Sequence, residues 1–162
     1  MFLLLFLNGP KIFSNISTHD AVIPNPFLQV EGYRKIANVV RDLNHREGKI
    51  IVSKSEDGSS NMRFEIAYGK AWGALGLGMS SRLIADKMSS RPNFLNALAA
   101  VSKGKFIPVP GGVLIEDAEG FTIGAVGISG DASEKDEYCA INAVKKSGLF
   151  PEPAEIDSSL KS

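Results

Sequence analysis

The sequence predicts an α+β fold, on three observations. From Pro108 to Cys139 the chain reads turn, strand, hairpin, strand, glycine turn, helix. Apolar residues recur at helical spacing over 29–46 and again over 61–77. The 162 residues suffice for one domain with a real core. Lysine plus arginine, 18, equals aspartate plus glutamate, 18, and this neutrality argues against a nucleic-acid partner. The single cysteine excludes an internal disulfide and points to a reducing, cytoplasmic compartment.

Taken in order, residues 1–28 are assigned to an irregular N-terminal extension. Within it Phe2 to Leu7 is apolar but too short to span a bilayer, so no membrane association is expected. It lacks a basic n-region and a cleavage site, which argues against a signal peptide. It reads instead as a strand, buried or paired with a partner, with Asn8-Gly9 as the following turn.

The domain proper is expected over 29–150. Its first helix covers Gln29 to Arg46, with Val30, Tyr33, Ile36, Ala37, Val40 and Leu43 on one face. Lys49 to Lys54 follows as a short strand. The next helix, Asn61 to Leu77, is apolar on two faces. Met62, Ile66, Gly69, Gly73 and Leu77 form one, and Phe64, Ala71 and Leu75 lie almost opposite. Such a helix belongs between two layers, or between a sheet and a partner subunit. Gly69 and Gly73 each lower helix propensity by about 1 kcal/mol against alanine, so close packing of a backbone or a flat ligand is expected to offset them.

Ser80 or Ser81 is expected to cap a helix over Arg82 to Met88. Pro92 sits in the first turn of another helix that Gly104 ends. Phe106 to Val109 is expected to begin the strand region, and Val113 to Glu116 and Phe121 to Ile128 to form a hairpin around Asp117-Ala118-Glu119-Gly120. Ser133 and Asp136 resemble a capping box for the last helix, which Gly148 closes. Residues 151–162 are expected to be a flexible tail.

Several residues are candidates for chemistry. Gly127, Ser129 and Gly130 precede the last helix, where loop amides and the helix dipole can hold an anion. Tight strand packing and a turn needing positive φ explain the same glycines. Pro110, Gly111 and Gly112 form a corner beside them. Glu137 shares a helical stripe with Ala140, Ile141 and Val144. It can bind loop amides, pair with an arginine, or act as a raised-pKa acid. The simpler expectation is a half-exposed carboxylate stabilised by the helix N-terminus.

Arg63 and Lys70 lie within about 20° of each other on the helical wheel, beside the glycine face. They are candidates to neutralise carboxylates of a ligand resting on Gly69 and Gly73. His19 and His45 belong to no ligand motif; His45 is the candidate metal ligand at a subunit interface, against the alternative of a solvated surface residue. Cys139 is expected to be a small buried hydrophobe. No nucleophile–histidine–acid set emerges, so no catalytic residue is assigned.

Pro108-Val-Pro-Gly-Gly-Val-Leu-Ile, Gly124-Ala-Val-Gly-Ile-Ser-Gly-Asp and Asp136-Glu137 together resemble the signature of the GlcG/HbpS-like family of haem-degrading or haem-binding domains. Ser55-Glu-Asp-Gly-Ser-Ser, Arg63-Phe-Glu-Ile-Ala, Gly69-Lys-Ala-Trp-Gly-Ala-Leu-Gly and the Arg91-Pro92 helix start look like one branch of it, over about residues 50 to 150. The resemblance implies a profilin-like antiparallel sheet flanked by helices, assembled as a homo-oligomer, dimeric or larger. It also implies haem or another tetrapyrrole as ligand, in storage, sensing or slow degradation. It supplies no transferable catalytic residue.

Members of that family usually carry a strand and a V-x-D-x-x-G-G turn before the strand equivalent to Ile50 to Ser53. Here His45-Arg-Glu-Gly-Lys leads almost directly into that strand. Phe2 to Leu7 replaces the absent strand, a partner provides it, or the gene is altered. Three other roles fit the residues alone. One is a module binding a small organic acid at the Gly127–Asp131 turn. Another is an enzyme, an isomerase or lyase, using Glu137. The last is a non-catalytic accessory or structural protein of an oligomer.

Overall fold

The computed structural model describes residues 2–7 and 50–158, with residues 2–7, 51 and 52 described by backbone alone. The expected helix at 29–46 and both histidines lie outside the described residues. The elements run β1 (Phe2–Leu7), β2 (Ile50–Ser55), α1 (Met62–Leu77), α2 (Ser81–Met88), α3 (Pro92–Val101), β3 (Gly112–Glu116), β4 (Thr122–Ser129), α4 (Ser133–Lys146) and β5 (Phe150–Glu152). The five strands form one sheet in the order β2-β1-β4-β3-β5, and every neighbouring pair is antiparallel. This is the expected α+β architecture.

Two expectations at the chain ends are corrected. Phe2–Leu7 is no part of an irregular extension. It lies inside the sheet, pairing Phe2 with Ser55 of β2 on one side and with Ser129 of β4 on the other. The strand beside β2 is therefore provided by the N-terminal hexapeptide, which satisfies two rows of backbone groups that an open edge would expose. Residues 151 and 152 are no tail either. They belong to β5, where Pro151 pairs with Ile115 and Glu152 with Leu114. Proline is tolerated there because β5 is an edge strand.

The β3–β4 hairpin forms where expected. Asp117 closes its turn by accepting hydrogen bonds on Oδ1 from the amides of Glu119 and Phe121, as an Asx turn does. Both strands are buried along most of their length, because helices cover both faces of the sheet. On one face Val113, Ile115, Ile123, Val126 and Ile128 pack against Ala140, Ile141 and Val144 of α4. On the other, Leu114 and Ala125 pack against Ala67, Ala71 and Ala74 of α1.

The segment expected to open the strand region, Phe106 to Val109, is not a strand. It runs along α1, with the Ile107 amide donating to the Gly69 carbonyl at 3.4 Å. A Cβ added at Gly69 or Gly73 would lie 2.7 Å from the side chain of Ile107 or Phe106 respectively. The two apolar faces of α1 are thus filled by the sheet and by this segment. α2 begins at Ser81 with Ser80 at its N-cap position, but the Ser80 side chain makes no capping bond. α3 starts on Pro92 and ends at Val101, three residues before Gly104.

Candidate functional site

The last helix delivers two consecutive carboxylates into the interior, and they anchor the candidate site. Ser133 does not cap α4; it is the first helical residue, and Ala132 at the cap position offers no side-chain bond. Asp136 instead reaches back, and its Oδ1 accepts from the amides of Gly130 and Asp131 at 2.9 and 3.0 Å. The anion expected at the Gly127–Asp131 turn is therefore the chain's own carboxylate. That corrects the reading of this turn as a site for an organic acid.

Lys70 completes the arrangement. Its Nζ donates to Asp136 Oδ2 at 2.9 Å and to the Ile128 carbonyl at 3.0 Å. Both side chains are buried, at 1% and 4% exposure. Burial lowers the Lys70 ammonium below its ordinary pKa, against the opposing pull of Asp136. Lys70 cannot reach a ligand lying on the α1 glycines, which corrects the sequence reading. Its hydrogen-bond partners are internal because a buried ammonium needs them.

The glycine corner makes room for this pair. Gly111 has φ +117, and a Cβ there would meet Lys70 Nζ at 2.9 Å and Asp136 Cβ at 3.0 Å. A Cβ on Gly112 would meet the Lys70 backbone carbonyl, and one on Gly127 would meet that of Ala67. Ser81 Oγ accepts from the Gly112 amide at 2.8 Å. Pro110, half-buried, precedes the corner. Gly111, Gly112, Gly127, Ser129, Gly130 and Lys70 therefore gather at one end of the sheet. Arg63 joins them, donating to Ser129 Oγ at 3.3 Å, and remains half-exposed.

Glu137 faces a different set of groups. It is fully buried, contrary to the half-exposed carboxylate expected. Its Oε2 accepts from Arg82 Nε at 2.8 Å, while Oε1 has no hydrogen-bond partner among the described residues. Burial pushes its carboxyl up to about 7, only partly opposed by Arg82; the negative charges of Asp157 and Glu152 add to the rise. Glu152 accepts from the Ser80 amide on Oε2, and burial raises its pKa too. Nothing in the sequence marked Arg82 as the partner, since 55 residues separate it from Glu137.

Sequence reasoning also passed over an aromatic strip on α1. The rings of Phe64 and Tyr68 stack with centroids 6.2 Å apart. Trp72 continues the strip one turn on, and all three are half-buried against the Ala67 cluster. Lys105 Nζ lies 5.9 Å from the Tyr68 ring centroid. Their i, i+4, i+8 spacing was the available signal. Cys139 packs partly buried against the α4 core, and burial pushes its thiol up to about 11. His45 lies outside the described residues. Among the described residues no cluster of three or more histidine, cysteine or acidic side chains could hold a metal ion. No described helix is long and apolar enough to cross a membrane.

Solved structures share this fold. The PduOC:haem complex superposes with a TM-score of 0.60 at 18% identity, covering 93% of this chain and 82% of that one. Protein ORFY of Klebsiella pneumoniae gives 0.57 at 18% identity, covering 91% and 75%. HbpS gives 0.52 at 21% identity, covering 61% and 66%. No curated protein matches the sequence. The family model for haem-degrading protein HbpS-like matches residues 31–145, and the chain belongs to that HbpS-like family.

Proposed function

We propose that this protein binds haem or a related tetrapyrrole and acts in its storage, sensing or slow oxidative breakdown. One observation carries the reading: family membership across residues 31–145, joined to likeness in fold with a protein whose structure holds haem. Haem, when bound, supplies a redox-active iron in a flat apolar ring with two carboxylate arms. A site for it needs an apolar face and cations near its rim.

The glycine face of α1 does not serve, because Ile107 and Phe106 fill it. The strip of Phe64, Tyr68 and Trp72 is the proposed apolar surface for the ring, in addition to the contacts those side chains already make. Lys105 beside Tyr68 and Arg63 at the head of α1 are the cations for the propionates. His45 is the proposed iron ligand. A homo-oligomer is the proposed assembly, supported by α3, which buries no residue fully and exposes Phe94 and Val101. The cytoplasm is the proposed compartment, on the single cysteine.

Haemin titration tests the proposal. A Soret band saturating at stoichiometric haemin is expected, with its position altered by His45→Ala. Lys105→Ala is expected to weaken binding roughly fivefold, the effect of an exposed ion pair. No Soret band at stoichiometric haemin overturns the function. A normal band with unchanged affinity in Tyr68→Ala and Lys105→Ala moves the site off the α1 strip.

A further inference from the structure

β1 sits inside the sheet, yet both of its neighbours lie far along the chain. Its register sets Phe2 between Ser55 and Ser129, and Leu4 between Ser53 and Gly127. At the alternate positions Leu3 falls between Lys54 and Ile128, and Leu5 between Val52 and Val126. Small residues therefore flank Phe2 and Leu4, and branched ones flank Leu5. The strand itself, Phe-Leu-Leu-Leu-Phe-Leu, carries no charge and no polar side chain. The HbpS-like match starts at residue 31, so this inner strand comes from outside the matched segment.

Neighbouring antiparallel strands are usually joined by a hairpin loop of about 2–5 residues. β1 and β2 are joined instead through residues 8–49. The effective concentration of a tethered segment falls as about the −3/2 power of tether length. Relative to a loop of about four residues, a tether of about 40 lowers it roughly 30-fold. That takes it from the millimolar range of short tethers to on the order of 0.1 mM. A second copy of the chain offers the same strand, with the same contacts, at a concentration set by the solution. An unseated β1 exposes six apolar residues and leaves the facing edges of β2 and β4 unpaired, so a strand that leaves one sheet is driven into the next vacant one.

We propose that the slot between β2 and β4 is a strand-acceptor site whose partner is the Phe2–Leu7 segment of a second copy, so that two chains exchange β1 and close as a symmetric dimer. Each sheet keeps the order β2-β1-β4-β3-β5, with its second strand supplied by the other copy. Reciprocal exchange leaves no slot vacant and no β1 unseated, which stops assembly at two. The exchanged form gains population as the chain concentration passes on the order of 0.1 mM. This deepens the proposed homo-oligomer and rests on that part of the reading; it does not require haem.

Disulfide trapping on the full chain tests it, in a Cys139→Ser background. One copy carries Phe2→Cys and a second, differently tagged copy carries Ser55→Cys, at an exposed position of β2. Register partners lie within disulfide reach. The two are refolded together and oxidised at concentrations from about tenfold below to about tenfold above 0.1 mM. The share of chains linked between copies is expected to rise roughly fivefold across that range by mass action. Phe2→Cys with Lys54→Cys, one residue out of register and on the other face, should stay unlinked. Isotope-filtered nuclear magnetic resonance on an equal mixture of labelled and unlabelled native chains needs no substitution, and should show contacts between copies linking the Leu3 and Ile128 positions. No such contacts at the highest concentration, or equal linking by the out-of-register pair, overturns the proposal. A dimer lacking those contacts overturns strand exchange and leaves the homo-oligomer standing, whereas a monomer throughout overturns both. Haemin titration reads the haem proposal separately in either case.

Discussion

On the α1 face of the sheet, Ala67, Ala71 and Ala74 meet Leu114, Ala125 and Gly127. On the α4 face, Ile141 and Val144 meet Val113, Ile115, Val126 and Ile128. The first face is packed by bringing backbones together, and the second by filling space with branched side chains. Their charges divide in the same way. The Lys70–Asp136 pair, linking α1 to α4, has both carboxylate oxygens bonded. Glu137, one residue along, has one oxygen bonded and one with no partner among the described residues. Closely packed backbone leaves an ion pair no freedom, and the amides needed to complete its bonding are at hand. Aliphatic packing leaves an acid with fewer donors, and its protonation becomes the variable.

The largest test of this contrast is Lys70→Ala. It leaves Asp136 buried with only its two amide donors, and loss of one partner from a buried pair costs about 3–5 kcal/mol. Chemical denaturation should show a fall of that size in unfolding free energy. A loss below about 1 kcal/mol, the range of exposed pairs, means the pair is not held in a closed interior.

Gly127→Ala comes next. Its Cβ would strike the Ala67 backbone carbonyl, which cannot rotate aside as a side chain does, so overpacking should cost about 3 kcal/mol. Gly73→Ala should cost less, because the obstacle is the Phe106 ring. Equal losses in thermal and denaturant unfolding would remove the distinction between backbone contact and side-chain filling.

These glycines show how far the sequence could be read. Their spacing within 124–130 announced close approach, and the hairpin, α1 and the ends of α2 followed from periodicity and turn residues. What approached them was not legible. Phe106 and Ile107 lie more than thirty residues from Gly73 and Gly69, and a β-branched, aromatic run reads as a strand until something else claims it. β5 has only three residues, too few to show alternation. At the site, Asp136 carried the local signature of a capping box, but its actual partners include Lys70, 66 residues away. A carboxylate in the first turn of a helix predicts that it will find amides, not which ammonium will join it.

The acid on the α4 face gives a third effect, and its sign is fixed. Folding raises the Glu137 pKa from 4.5 to about 7, so the folded state binds its proton more tightly than the unfolded chain does. The stability this proton confers is complete below about pH 4.5 and is lost as pH rises to about 7. At 1.36 kcal/mol per unit the loss is on the order of 3 kcal/mol. Denaturant midpoints measured from pH 4.5 to 8 should fall over that window in the native chain and not in Glu137→Gln. A fall of the same size in both would place the titrating group elsewhere.

The smallest effect has the opposite direction, and it separates glycines that the fold needs from one that it does not. Gly76 lies in the last turns of α1, exposed, with nothing among the described residues within 4 Å of an added Cβ. There a glycine only adds freedom to the unfolded chain, so Gly76→Ala should stabilise the protein by about 0.5–1 kcal/mol. Gly69 and Gly73 stand earlier in the same helix with the same intrinsic propensity, yet alanine at either meets a side chain at 2.7 Å. If Gly76→Ala raises the melting temperature while Gly73→Ala lowers it, helix propensity is common to both and packing against the 105–107 segment decides the sign. If both raise it, Phe106 yields its place without cost, and close approach on the α1 face is confined to the contacts at Gly112 and Gly127, where backbone meets backbone.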